Sequence, residues 1–141
     1  MITEHKINAE LTDEVYEACS HAIQPKMCYN NVFSVMGYYI DKFRGGEWKV
    51  AYGYWTAVDG MMARHAFIVD VETGDAIDPT ALATSSGYEH RKYISFAILD
   101  IDEYLELIGN ENREPALYKS LREQDMEAQK WGMQHNLIMY G

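Results

Sequence analysis

The stretch EWKVAYGYWTAVDGMMARHAFIVDVETGDAIDPT, Glu47 to Thr80, decides the fold. From Glu47 the apolar period is two. Trp48, Val50, Tyr52, Tyr54, Thr56 and Val58 alternate with Lys49, Ala51, Gly53, Trp55 and Ala57, the pattern of a half-buried strand. Asp59-Gly60 is a hairpin signal, because these residue types tolerate the positive φ a tight turn requires. The return strand is expected from about Arg64 to Val71. A second turn at Glu72-Thr73-Gly74-Asp75 leads to a short strand, Ala76 to Asp78, halted by Pro79. Ala81 to Glu89 reads as loop and Lys92 to Leu99 as a further strand, which predicts three or four antiparallel strands.

Working outward, Leu11, Val15, Ala18, Cys19, Ala22 and Ile23 recur at helical spacing, which predicts an amphipathic helix over 11–23 with Cys19 in its apolar stripe. After Gln24-Pro25-Lys26 a second helix is expected from about Cys28 to Phe43, ended by Gly45-Gly46. On the other side, Asp100 stands three residues before Glu103, a capping box for a helix from Ile101 to Ile108 that closes at Gly109. Pro115 opens a last helix to about Trp131, with Gly132 as its stop. Its sparse apolar residues, and the run Arg122, Glu123, Gln124 and Asp125, read as a solvated surface helix. The expected class is α+β, a single domain over residues 1–141 with N-terminal helices, a small antiparallel sheet and C-terminal helices.

Composition excludes several functions. With 141 residues, 48% hydrophobic and 24% charged, the chain suits one folded core without disulfides. A net charge of -10, with His90-Arg91-Lys92 as the largest basic cluster, argues against nucleic acid as a partner. The acidic N-terminal sequence is unlike a signal peptide, and no apolar run approaches the ~18 residues of a membrane span, so a cytoplasmic protein without a membrane partner is expected. Cys19 and Cys28 form no CxxC, and His5, His21, His90 and His135 form no i,i+4 pair, so neither a metal nor another cofactor is expected. Gly45-Gly46 lacks the context of a phosphate loop.

Chemistry concentrates in QPKMCYNN (Gln24 to Asn31) and RHAFIVDVETGDAIDPT (Arg64 to Thr80). The first puts a thiol in the opening turn of a helix, where unpaired N–H groups and the macrodipole favour a thiolate. The second puts His65 near the start of one strand and Asp78 at the end of the next. An imidazole so placed accepts the thiol proton, and a carboxylate holds its other nitrogen. Of the aromatic residues Tyr52, Tyr54 and Trp55, one strand face is core and the other is available to line a groove.

This order, a cysteine opening a helix, then a strand beginning His-Ala-aromatic and a return strand ending Asp-Pro-Thr, resembles the papain-like Cys-His-Asp superfamily. It is most similar to its transglutaminase-like, arylamine-acetyltransferase-like and NlpC/P60 branches, over residues 24–80. The resemblance implies Cys28 as nucleophile, His65 as general base and acid, and Asp78 as the orienting carboxylate. Papain-type enzymes also carry a glutamine before the cysteine as an oxyanion donor; Gln24 is similar, although the spacing here is shorter. The implied activity is covalent acyl transfer, by default hydrolysis of an amide, peptide or isopeptide bond in a peptide, protein or small amide substrate. The rival expectation is a binding or inhibitor protein on the same fold, without turnover, that uses the aromatic hairpin as a contact surface.

One distance tests the triad in advance. If Thr73-Gly74 form a two-residue turn, Val69 faces Asp78, and His65 and Asp78 share a face but stand four residues apart, about 13 Å at the usual rise. A wider turn, a bulge or strong twist must close that gap, or Asp70, Asn30 or Asn31 orients the imidazole instead.

Overall fold

The computed structural model describes residues 2–57, 61–84, 91–110 and 120–140. Its elements run β1 (Thr3–His5), α1 (Ala9–Cys19), α2 (Cys28–Tyr38), α3 (Ile40–Arg44), β2 (Trp48–Thr56), β3 (Met62–Asp70), β4 (Ala76–Ile77), α4 (Pro79–Leu82), β5 (Tyr93–Leu99), α5 (Ile101–Asn110), α6 (Arg122–Gln134) and β6 (Met139–Tyr140). The class is α+β. The strands form one sheet in the order β1-β5-β2-β3-β4, antiparallel throughout, with β6 added parallel to β3. The sheet exceeds the expected three or four strands because β1 and β6 are too short to display a period.

The alternating run from Trp48 makes β2, which pairs with β3 along its whole length, from Trp48 opposite Asp70 to Thr56 opposite Met62. Tyr52, Tyr54, Ala66 and Ile68 enter the main core beneath Val32, Val35 and Met36 of α2 and Tyr104 and Ile108 of α5. Phe67, Val69, Ala51, Ala76 and Tyr93 form a smaller cluster. Asp59-Gly60, the expected hairpin turn, lies outside the described residues, as does Pro115.

Helix ends differ from the periodic reading where local hydrogen bonds intervene. The Asn8 side chain accepts from Leu11 N at 2.9 Å and starts α1 at Ala9, and the helix stops at Cys19 rather than Ile23. The second expected helix is two: Tyr39, at φ −119°, ψ 37°, breaks it between α2 and α3. Part of the expected 81–89 loop is helical, since Pro79 opens α4, where a missing N–H costs nothing. The capping box forms in both directions, Glu103 N to Asp100 Oδ1 at 2.9 Å and Asp100 N to Glu103 Oε1 at 3.2 Å.

The last helix lies on the surface, as expected, but with one buried stripe. In α6, Asp125 and Ala128 are buried, and Leu121 at its N-cap is buried with them. Gly132 lies inside the helix rather than stopping it; a Cβ there would come within 2.4 Å of the Met139 side chain, so the glycine permits β6 to pack. Among the described residues no helix is long and apolar enough to cross a membrane.

Candidate active site

Cys28 is the first residue of α2, and His65 lies in the middle of β3. Asp78 follows β4 directly, ahead of Pro79. The fold brings the three together. His65 Nε2 donates to Asp78 Oδ2 at 2.8 Å, and the Cys28 sulfur is near enough to the same ring to act on its charge. With Nε2 committed to the carboxylate, Nδ1 is the nitrogen left for sulfur. All three side chains are buried, His65 at 2% and Asp78 at 1% exposure.

The gap between His65 and Asp78 closes in the turn. Val69 pairs with Ala76 and Ile68 with Ile77, so Asp78 falls across from Phe67, two residues nearer His65 than a two-residue turn would place it. The turn is wider because Asp70 N bonds Asp75 O at 2.9 Å and Gly74 N bonds Asp70 O at 2.7 Å, enclosing four residues. Gly74 takes φ +77°, a left-handed conformation that costs a glycine little. Thr73 Oγ1 accepts from Asp75 N and fixes the exit.

A register shift in β5 completes the surroundings. Between Tyr52 and Gly53 the pairing of β2 with β5 slips by one residue, so Tyr93 lies opposite Trp55 and Ser95 opposite Gly53. A one-residue slip moves side chains to the other face. Tyr93 thereby joins the face of His65, and its hydroxyl donates to Asp78 Oδ2 at 2.6 Å. Gly53, directly across from His65, is where β5 comes closest; a Cβ there would meet Ile94 O at 1.8 Å. Asp78 N bonds Thr12 Oγ1 at 3.2 Å, which ties the carboxylate's backbone to α1.

The other residues singled out by sequence fall elsewhere. Asn31 does not orient the imidazole: its amide donates to Gln24 O at 2.8 Å and Thr80 Oγ1 at 2.9 Å, and its oxygen accepts from Gln24 N at 3.0 Å. Gln24 is thus fixed by its backbone, four residues before Cys28, while the residue as a whole is exposed. Asp70 serves the turn, accepting from Glu72 N. Tyr52 and Tyr54 are core, whereas Trp55 lies flat on His65, with ring centroids 3.7 Å apart and planes 1° apart.

Sequence reading missed Tyr93, Thr12 and the function of Trp55 around the site. Trp55 carried a signal, since alternation puts it on the His65 face; Tyr93 carried none, because its face depends on the bulge.

Electrostatics favour a charged His65 and a protonated Cys19. Burial works against an imidazolium at His65, but the Asp78 carboxylate and the Cys28 sulfur, by charge and by hydrogen bond, outweigh it and raise its pKa from 6.5 to about 9. Burial alone pushes the Cys19 thiol up. No group of three or more metal-ligating side chains occurs among the described residues. Comparison with protein-family models, curated sequences and solved structures gives no match for this chain, so its own residues carry the functional reading.

Proposed function

We propose that this chain is a cysteine-dependent acyl-transfer enzyme on a papain-like core, hydrolysing an amide, peptide or isopeptide bond through a thioester on Cys28. The observation that carries the reading is the buried His65–Asp78 hydrogen bond with the Cys28 sulfur near enough to the ring to act on its charge. Three features support it: the sulfur opens a helix, the imidazole is bonded to a buried carboxylate, and a tyrosine hydroxyl holds that carboxylate.

The steps follow from the proton inventory. The imidazole of His65, with its elevated proton affinity, takes the thiol proton. The sulfur attacks the carbonyl carbon, and the oxyanion faces the N–H groups that open α2. As the C–N bond breaks, His65 gives its proton to the departing amine and leaves the acyl group on sulfur. Water then loses a proton to His65 and adds to the thioester; the C–S bond breaks, releasing the acid and restoring the pair. An amine in place of water gives acyl transfer instead.

The competing reading, a binding protein that keeps the constellation without turnover, is favoured by one observation, the low exposure of Cys28 at 8% and His65 at 2%. Iodoacetamide at pH 6 to 7 separates the two. An enzyme shows Cys28 alkylated well before Cys19, an adduct on Cys28 after incubation with peptides and amines, and loss of both in His65→Ala. Equal sluggishness of the two thiols would sink the enzymatic reading.

A further inference from the structure

His65 is gripped from a direction that hydrogen bonding does not explain. Its ring is sandwiched against Trp55, and the opposite face of that indole is covered by Arg91, whose guanidinium carbon lies 3.8 Å from the ring. Arg91 is in turn tied to both neighbouring segments. Nη1 donates to the Thr56 carbonyl, and Nη2 reaches Thr84 Oγ1 at 3.5 Å. Lys92 N adds a bond to Thr56 Oγ1 at 3.0 Å, so the start of β5 is held against the end of β2 beside the stack.

We propose that Arg91 is a positioning residue for His65, acting through the Trp55 indole. The inference rests on the acyl-transfer reading for its importance, but its physics is separate. The hydrogen bond to Asp78 fixes one end of the imidazole; it leaves rotation of the ring about that bond weakly opposed. A flat indole at contact distance blocks that rotation, and it does so only while the indole cannot swing away. Trp55 is half-buried, on the strand end that leads out of the described sheet. Arg91 supplies the restraint. A planar guanidinium stacked on an indole is attracted by the ring's quadrupole and, with two fixed donors, loses little freedom in staying there.

The stack also keeps water from the His65–Asp78 bond, where a low dielectric strengthens it. The groups that face His65 from the elements around it are Asp78 after β4, Cys28 of α2 and the Tyr93 hydroxyl of β5, with Arg91 behind the indole. Of the first three, Tyr93 also packs on Trp55, with ring centroids 6.1 Å apart, but the indole face away from His65 is covered by Arg91.

The test uses the 15N-labelled full chain. Exchange of the His65 Nε2–H with water is read by NMR, and alkylation of Cys28 by iodoacetamide is followed from pH 5 to 10. Arg91→Met should speed Nε2–H exchange about tenfold and slow alkylation at pH 7 about fivefold, with a flattened pH profile. Arg91→Lys, which keeps a cation but loses the planar, doubly anchored group, should fall between the parent and Arg91→Met on both measures. Trp55→Leu should reproduce the Met variant and make a second change at Arg91 silent; this pair decides the matter if Arg91→Met fails to fold. Unchanged exchange in Arg91→Met, or additive losses in the double variant, overturns the proposal. If the parent's Cys28 reacts no faster than Cys19, the acyl-transfer reading fails, while Nε2–H exchange still reports on the clamp.

Discussion

Arg64 and His65 are neighbours on β3, and alternation sends them to opposite faces, where each meets the same set of partners. Arg64 pairs with buried Asp125 at 2.6 Å, and Tyr54 donates its hydroxyl to that carboxylate. His65 pairs with buried Asp78 at 2.8 Å, and Tyr93 donates to that carboxylate. The first centre pins α6 to the sheet. Gln129 of the same helix adds bonds to Tyr54 and Asp125 at 3.3 Å, so both Asp125 oxygens are used. The second differs in two respects: its cation can lose its proton, and a thiol stands beside it. Asp78 Oδ1 also has no partner among the described residues. A guanidinium that never titrates makes a fastener; an imidazole in the same frame makes a proton relay.

The two centres differ most at the histidine. His65→Ala should slow Cys28 alkylation at pH 7 by about a hundredfold or more, the usual scale of general acid–base assistance, measured against Cys19 as internal reference. Arg64→Ala should leave that rate within about twofold, and an equal loss in both variants would show that the two centres are not separate. Stability should respond the other way. Asp125→Ala strips a buried partner from Arg64 and Tyr54 and should cost about 2–3 kcal/mol in urea unfolding, discounted from a fully buried pair because the Arg64 side chain is 32% exposed.

pH sharpens the contrast. Burial opposes the His65 charge, Asp78 and then Cys28 support it, and the folded pKa rises to about 9 from an ordinary 6.5. Stabilisation from this pair is therefore complete below about pH 6.5 and lost as pH rises through about 9. The urea midpoint should fall over that interval in the parent, and the fall should be absent in Asp78→Asn. The Arg64–Asp125 pair contributes no step there. The smallest effect is expected at Tyr93→Phe: about 1 kcal/mol for the hydroxyl's hydrogen bond and a few-fold slower alkylation. A full loss of reactivity in that variant would make Tyr93 part of the chemistry rather than a support for Asp78.

The legible parts of the site were those carried by local chemistry. Cys28 is placed by the proline-containing break before it and the apolar period after it, and His65 by the alternation of its strand. Asp78 was legible as a residue type in a suggestive order but not as a contact, because four turn residues instead of two decide whether it reaches the imidazole. Asp125 was misplaced for a related reason. Its neighbours Arg122, Glu123 and Gln124 are exposed, and nothing in a polar helical run distinguishes the acid that an arginine across the sheet will bury.

By itself the sequence determined the main segments, α1, the start of α2, β2, β3, β5 and α5, and where α5 is capped, because those depend on residues within a few positions of one another. Tertiary structure alone decided that Tyr93 closes around His65 and that α6 turns a buried stripe inward. The first depends on one extra residue in β5 and on the close approach that Gly53 permits; the second depends on a charge pair between residues 61 positions apart. A side chain's periodicity is set by its own backbone, but its partners are set by register and turn width, which are properties of two strands at once.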